Sequence, residues 1–208
     1  MVQKNSFAPA PQKGTVVQQN LLSAYQTFFE KQFSSFPFKI VIDTANSVGL
    51  FEAQVLQKHC ATVPLFFELD GRFPNHLGNP LDSGTLSVLQ KTVVQEKADL
   101  GIAFDGDADR VSFIDEKGQV VPNDLIAALL VRFFSRETIL FDVRSTQQIE
   151  KSVLQAKGKP LRCRVGHAFI KQQMRDSNAA FAAELSGHYY YRDLFFAECL
   201  CPFFNIIG

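Results

Sequence analysis

Short apolar runs with strand character alternate with helical segments along most of this chain, and this alternation limits the folds open to it. The first three predicted strands are "FKIVID" (38–43), "ATVPLFF" (61–67) and "ADLGIAF" (98–104). Helices are predicted at 16–33, 50–59 and 85–96. Strands and helices in this order predict a three-layer α/β unit, with helices on both faces of a sheet.

A second series of the same kind follows. Strands 110–115 and 119–121 predict a hairpin around "EKG", and a helix is predicted from 123 to about 134, with Asn123 and Asp124 as good N-cap residues. The further predictions are strand 138–143, helix 146–156, strand 160–165, helix 168–174 and "AAFAAEL" (179–185) leading into "SGHYYYRD". We therefore predict an extended lead-in (1–14) and two related α/β domains, 15–117 and 118–208.

Charge and composition argue against several classes of protein. The 21 basic and 21 acidic residues cancel, so no overall positive field attracts nucleic acid or an anionic membrane. The longest apolar stretch, 125–134, is half a membrane span and contains Arg132, and polar residues rather than a leader follow Met1. The four cysteines are too scattered for a disulfide scaffold, and Cys199 and Cys201 have no partner pair at zinc-site spacing. A cytoplasmic protein is expected, and no oligomeric state is predicted.

The segment "DGDADR" (105–110) places Asp105, Asp107 and Asp109 on alternate residues, directly after a predicted strand. Two such charges about 5 Å apart repel by roughly 3 kcal/mol at an effective dielectric constant near 20, unless they point into water or share a cation. A solvated turn is the structural alternative. The loop lies where open α/β sheets bind ligands, and carboxylate oxygens suit Mg²⁺ shared with a phosphate, which Arg110 could also neutralise.

A calcium loop of the EF-hand type is a second alternative, because three aspartates and Glu116 fall at the ligand positions. However, Arg110 stands at the position that requires glycine, and predicted strands rather than helices flank the loop. The sequence therefore favours a magnesium site.

Two further segments contain candidate site residues. In "AELSGHYYYRD" (183–193), Glu184 and Ser186 can face the same side and offer an acceptor and a hydroxyl group to a sugar. "RVGHAFIKQQM" (164–174) places His167 at the start of a helix, where a purely structural role is the alternative. The 17-residue loop "ELDGRFPNHLGNPLDSG" (68–84) is long enough to predict a functional or interdomain segment.

Four motifs, "DGRFPNHLGNP", "DGDADR", "VGHAFIK" and "ELSGH", occur in an order and spacing that resemble the α-D-phosphohexomutases, in particular the bacterial phosphomannomutase/phosphoglucomutase group. The resemblance runs from about residue 15 to 197. It implies two consecutive three-layer α/β/α domains with mixed sheets, the second and third of four. It also implies an isomerase of carbohydrate metabolism that moves a phosphoryl group between the 1- and 6-positions of a hexose, through a hexose bisphosphate and a phosphoserine.

The resemblance also implies roles for individual residues. The implied Mg²⁺ ligands are Asp105, Asp107 and Asp109. The implied catalytic residues are Arg110, His167 and His188. The implied contacts to the hexose phosphate are Glu184, Ser186, His188, His167 and, by a looser match, Arg144 in "DVRST". Because Glu184 and Ser186 would read the 3- and 4-hydroxyls, the sequence does not separate glucose from mannose or glucosamine.

Three departures from the family pattern accompany the resemblance. No Ser-His-Asn-Pro string for the phosphoserine precedes residue 15, no phosphate-binding domain follows, and the end at 197–208 no longer resembles the family. The sequence therefore predicts a truncated pair of central domains that is inactive alone. The alternative is a noncatalytic module that binds a sugar phosphate or a partner. Gly78 replaces a usual proline without changing the side-chain chemistry.

Overall fold

The computed structural model describes residues 11–31 and 35–199. The helices are α1 (Leu22–Glu30), α2 (Leu50–Leu56), α3 (Ser87–Gln95), α4 (Asn123–Leu130), α5 (Gln147–Gln155) and α6 (His167–Ser177). The strands are β1 (Lys39–Asp43), β2 (Ala61–Leu65), β3 (Leu100–Phe104), β4 (Val111–Ile114), β5 (Val120–Val121), β6 (Thr138–Asp142), β7 (Lys159–Cys163), β8 (Phe181–Ala183), β9 (Tyr189–Tyr191) and β10 (Ala197–Glu198).

Ten strands form two five-stranded mixed sheets of the same topology. The first has the order β2-β1-β3-β4-β5, in which β1 pairs in parallel with β2 and β3, and β4 and β5 are added antiparallel. The second has the order β7-β6-β8-β9-β10, with β6 parallel to β7 and β8, and β9 and β10 antiparallel. The predicted pair of three-layer α/β/α domains with mixed sheets is confirmed.

Alternate residues of the central strands face different helical layers, as the two-residue period of a strand requires. In the first domain, Ile40 and Ile42 of β1 pack on the side of α1 and α2, whereas Val41 packs with Leu89 and Val93 of α3. The second domain repeats this arrangement, with α4 and α5 on one face and α6 on the other. One cluster contains buried residues of both sheets, so the described core is continuous between the domains.

Several predicted boundaries were wrong. The helix predicted at 16–33 begins at Leu22, because Val16 and Val17 are 90% and 80% exposed and contribute nothing to the core. Residues 32–33 of that prediction lie outside the described residues, as do 1–10 of the lead-in and 200–208 of the C-terminal end. The helix predicted to run to about 134 ends at Leu130 and continues as a short 3-10 turn.

The predicted N-caps of α4 were also wrong. Asn123 and Asp124 lie in the first turn, and Pro122 precedes them at the cap position without a side-chain hydrogen bond. Both side chains bind other segments instead: Asn123 Nδ2 donates to the carbonyl oxygen of Leu185, and Asp124 accepts from the Thr146 N–H. Tertiary contacts therefore override the local capping preference.

Among the described residues, no helix combines the length and the apolar character needed to cross a lipid bilayer.

Candidate functional site

Two loops of the candidate site occupy the same topological position in their sheets. Residues 105–110 connect β3 to β4, and residues 184–188 connect β8 to β9; each loop follows the carboxyl end of a parallel strand. The loops touch, because the Val111 N–H donates to the Gly187 carbonyl oxygen over 3.2 Å and His188 Nε2 lies 3.3 Å from Asp109 Oδ2. The two domains therefore meet at these loops.

The acidic loop brings its three carboxylates together. One oxygen from each of Asp105, Asp107 and Asp109 lies within 4.8 Å of the others, a spacing that could hold a metal ion. Asp105 is buried, Asp107 is exposed and Asp109 is intermediate. Strands β3 and β4 flank the loop, which agrees with the argument against an EF-hand.

The electrostatics of this loop suit a cation. The pKa of Asp105 is raised to about 6, mainly by burial and also by the negative charge of Asp109. The hydrogen bond from the Arg110 N–H opposes this rise. Asp109 Oδ1 is buried without a hydrogen-bond partner among the described residues. Arg110 Nε donates to Asp105 Oδ2 over 2.6 Å and lies 3.7 Å from Asp109 Oδ1, so a single guanidinium charge is shared between two of the three carboxylates. A divalent ion would satisfy the remaining oxygens, so the residues present fit a hard metal.

Glu184 is almost fully buried, at 3% exposure, and bonded on both carboxylate oxygens. Its Oε1 accepts from the Gly166 N–H over 3.2 Å, and its Oε2 accepts from the Tyr190 hydroxyl over 2.7 Å. Burial alone would raise the pKa of Glu184, but hydrogen bonds from His188, Tyr190 and Gly166 outweigh it and lower the pKa to about 2. Glu184 is therefore an ionised acceptor at neutral pH.

His188 links the two loops. Its Nδ1 lies 2.9 Å from both Ser186 Oγ and Glu184 Oε2, and its Nε2 faces Asp109. Burial would lower the pKa of His188, but the hydrogen bond with Glu184 and the charges of Asp109 and Glu184 raise it above its usual value. The imidazole is therefore placed to hold a proton between Asp109 of the first domain and Glu184 of the second.

Arg144 reaches the same site from the end of β6. Its Nη2 donates to Asp142 Oδ2 over 2.8 Å and lies 4.0 Å from Glu184 Oε1. The hydrogen bond with Asp142 raises the pKa of Arg144. The guanidinium is 45% exposed and adds a positive charge to the wall of the site.

His167 is the first residue of α6 and its side chain is 67% exposed. Its Nδ1 lies 3.9 Å from Glu198 Oε1, while Glu198 Oε2 pairs with Lys171 Nζ at 2.7 Å. This histidine is held only loosely by the residues described around it.

The structure gathers nearly all the residues proposed from the sequence around one cleft of about 400 Å³. Its lining includes Asp107, Asp109, Arg110, Arg144, His167, Glu184, Ser186 and His188. Asp105 lies below this surface, fully buried. The cleft therefore joins an acidic loop, two arginines and two histidines.

The long loop 68–84 contacts the acidic loop and the end of β1. The Gly78 carbonyl oxygen accepts from the Gly106 N–H over 3.1 Å, and His76 Nε2 binds Asp43 Oδ2 at 3.0 Å. A side chain at Gly78 would meet Gly106 N at 2.9 Å, so the glycine permits this close approach.

Sequence reasoning missed several residues that shape the site. Asp142 and Tyr190 bind candidate site residues directly, and Gly166 reaches Glu184 through its N–H, with a φ of 118°. The sequence signal for Asp142 was its placement at the carboxyl end of the apolar run "TILFD", just as Asp43 ends the run "KIVID" of β1.

Fold and site together define a two-domain α/β protein with a polar cleft suited to a metal ion and an anionic ligand. The chain matches the family models for phosphoglucomutase/phosphomannomutase α/β/α domain II over residues 19–118 and domain III over residues 122–198. The chain belongs to this α-D-phosphohexomutase family.

Individual relatives agree with this assignment. A phosphomannomutase/phosphoglucomutase of Pseudomonas aeruginosa is 33% identical over 202 residues, which cover 94% of this chain and 43% of the relative. A phosphoglucomutase/phosphomannomutase family protein of Burkholderia thailandensis has a TM-score of 0.84 at 28% identity, over 92% of this chain and 43% of that structure. The chain thus spans about two fifths of the length of these relatives.

A more distant structure shares the fold alone. An N-acetylphosphoglucosamine mutase variant of Aspergillus fumigatus, in complex with glucose 1,6-bisphosphate, has a TM-score of 0.55 at 13% identity, covering 89% of this chain and 41% of that structure.

Proposed function

We propose that this chain supplies the metal loop and the sugar-binding loop of a phosphohexomutase, which transfers a phosphoryl group between the 1- and 6-positions of a hexose phosphate. The observation that carries the proposal is the shared cleft of about 400 Å³, which residues of both domains line. The first domain contributes Asp107, Asp109 and Arg110, and the second contributes Glu184, Ser186 and His188. A phosphate at one end of the ligand and hydroxyls at the other would match these two groups.

The chain's own residues would bind and orient the sugar phosphate. Ionised Glu184 would accept hydrogen bonds from sugar hydroxyls, and the Ser186 hydroxyl can both donate and accept. Arg110 and Arg144 would bind phosphate oxygens through charge-assisted hydrogen bonds. His188 and His167, which both line the cleft, would hold or release a proton beside the ligand.

Asp105, Asp107 and Asp109 would hold Mg²⁺, which when bound withdraws negative charge from a phosphoryl oxygen. The support for this assignment is the spacing of their oxygens within 4.8 Å, the buried Asp109 Oδ1, which accepts no hydrogen bond among the described residues, and the raised pKa of Asp105. Oxygen ligands alone favour Mg²⁺ over softer metals.

The proposed ligands are a hexose phosphate and a hexose bisphosphate. The structure of the Aspergillus fumigatus relative, which contains glucose 1,6-bisphosphate, supports the choice of that compound as a binding probe. We propose that the 208 residues alone bind such a ligand without turning it over, since they include no serine string of the kind that carries the phosphoserine.

The test is a chimera in which residues 15–197 replace the matching segment of the Pseudomonas aeruginosa relative. We expect this chimera to convert glucose 1-phosphate to glucose 6-phosphate in a Mg²⁺-dependent coupled assay. Glu184→Gln should reduce turnover by about 10²-fold or more, because it removes an ionised acceptor from the site. Glu116→Gln is the matched control, since that glutamate lies in an exposed turn and is 60% exposed.

Two results would overturn the proposal. One is a folded chimera without turnover, which would favour a noncatalytic binding module. The other is equal turnover of the Glu184→Gln and Glu116→Gln chimeras. Turnover of glucose 1-phosphate by the purified 208-residue chain would refute the separate proposal that these residues alone are inactive.

A further inference from the structure

Asp142 is a fully buried carboxylate that binds three different parts of the candidate site. It is the last residue of β6 and has 0% exposure. Its Oδ1 accepts from the backbone N–H groups of Arg144 and Ser145 over 2.7 and 3.0 Å. Its Oδ2 accepts from Arg144 Nη2 over 2.8 Å and from the Leu185 N–H over 3.0 Å. One oxygen therefore fixes the turn after β6, and the other joins Arg144 to residues 184–188, the proposed sugar-binding loop.

This second oxygen has a geometric consequence. Leu185 lies between Glu184 and Ser186, the two residues proposed to read sugar hydroxyls. Holding its N–H and Arg144 Nη2 on the same atom sets the distance between the guanidinium and the loop, and Arg144 Nη2 lies 4.0 Å from Glu184 Oε1. A free arginine side chain samples many rotamers, so this anchoring removes entropy that binding would otherwise cost.

The corresponding position in the first domain has a different set of partners. Asp43 ends β1, is also fully buried, and accepts from the Ala45 N–H with Oδ1 over 2.8 Å. Its Oδ2 binds His76 rather than an arginine or a sugar-binding loop. The two aspartates thus share burial and topology but differ in what their outer oxygen holds.

We infer that Asp142 is a positioning residue for the proposed ligand site: it fixes the Arg144 guanidinium and the 184–186 loop relative to each other, so that a phosphate and the sugar hydroxyls are bound together. This inference rests on the proposed function. Asp142 does not line the cleft, so it acts through Arg144 and Leu185 rather than by touching the ligand.

The test measures binding of glucose 1,6-bisphosphate to the 208-residue chain by calorimetry in metal-free buffer. Asp142→Asn keeps the size of the side chain but replaces one accepting oxygen with an NH₂ group, which cannot accept from the N–H donors on that side. We expect the Kd to rise about 10- to 100-fold. Arg144→Met should weaken binding to a similar extent, and the double variant should be little worse than the weaker single variant, because both changes remove one arrangement. Asp43→Asn, the matched buried control, should change Kd by less than about threefold.

A second variant covers the case in which Asp142→Asn does not fold. Arg144→Lys keeps the exposed charge but loses the planar fork that reaches Asp142, so it should bind almost as weakly as Arg144→Met. Wild-type affinity in Arg144→Lys, or in a folded Asp142→Asn chain, would overturn the inference. So would effects of Asp142→Asn and Arg144→Met that multiply fully in the double variant, since independent effects would mean that Asp142 does not act through Arg144.

Hydrogen exchange separates this inference from the proposed function. The Leu185 amide should exchange at least about tenfold faster in Asp142→Asn than in Asp43→Asn, with or without ligand, because its acceptor becomes an amide group. Unchanged Leu185 exchange would refute positioning by Asp142 even if the wild-type chain binds the bisphosphate. If the Leu185 amide exchanges faster in Asp142→Asn but the wild-type chain binds no bisphosphate at millimolar concentration, Asp142 orders the loop and the proposed ligand is rejected.

Discussion

Replacing Gly187 by alanine should destabilise the contact between the two site loops. Gly187 has a φ of 94°, and a Cβ there would meet the Val111 carbonyl oxygen at 2.6 Å and Asn123 Nδ2 at 2.9 Å. The positive φ costs a residue with a Cβ about 1–2 kcal/mol, and forced overpacking typically costs about 1–3 kcal/mol more. We expect a loss of roughly 3 kcal/mol, since the closest atom is backbone and cannot rotate away.

The assay compares the Tm of Gly187→Ala in the 208-residue chain with the Tm of two control variants, Gly166→Ala and Gly71→Ala. A loss of about 3 kcal/mol corresponds to a fall in Tm of about 6–12 °C for a chain of this size. Gly166→Ala has the same kind of strain, with a φ of 118°, but its closest neighbour is the Phe169 ring at 3.3 Å, which can move. We expect it to lower Tm by about half as much. Gly71 has no atom within 4 Å of an added Cβ, so Gly71→Ala should leave Tm almost unchanged.

The graded order of the three variants is the decisive result. If Gly187→Ala lowers Tm no more than Gly166→Ala, the Cα of Gly187 does not lie as close to the Val111 carbonyl oxygen as the estimated magnitude requires. The reasoning that the two domains meet through these loops would then be wrong.

Two further predictions concern titratable pairs. The hydrogen bond with Asp43 raises the pKa of His76. The stabilisation of the folded chain by this pair should therefore be complete below about pH 6.5 and be lost as the pH rises through the His76 pKa of the folded state. NMR titration should show a lower His76 pKa in Asp43→Asn, and an unchanged pKa would contradict this. Tyr190→Phe removes a donor from buried Glu184 and should cost about 1–3 kcal/mol in urea unfolding and raise the Glu184 pKa. Tyr189→Phe, which loses only a bond to a backbone carbonyl, should leave that pKa unchanged.

Much of the fold followed from local patterns in the sequence. The apolar runs around β1, β3 and β6 are buried because each is covered on both faces, and their composition alone predicts such strands. The metal site could also be predicted from a local pattern, because the three like charges of 105–110 at a strand end require a compensating partner.

Other features depend on contacts between distant segments and could not be predicted from local patterns. The bond from Leu185 to Asp142 joins residues 43 positions apart, and Asn123 reaches Leu185 across 62 positions. At Asn123 the local preference gave a wrong prediction: the residue was expected to cap α4, but its side chain donates to the Leu185 carbonyl oxygen instead. Helix α1 likewise begins only at Leu22, although the spacing of apolar residues suggested a start at Val16, which is 90% exposed.

The repeated topology explains why the candidate site forms between the domains. In each sheet the third parallel strand is followed by an antiparallel strand, so the connecting loop must turn back at the carboxyl-end edge of the sheet. Asp105 and Glu184 are the first residues of these two loops, and both are buried acids. Buried acids require partners, and here the partners differ: Arg110 donates to the Asp105 carboxylate, which has acidic neighbours, whereas hydroxyl, imidazole and amide donors surround Glu184. The same backbone position thus gives one loop suited to a cation and one suited to hydroxyl groups, and their contact through Gly187 places both on one cleft.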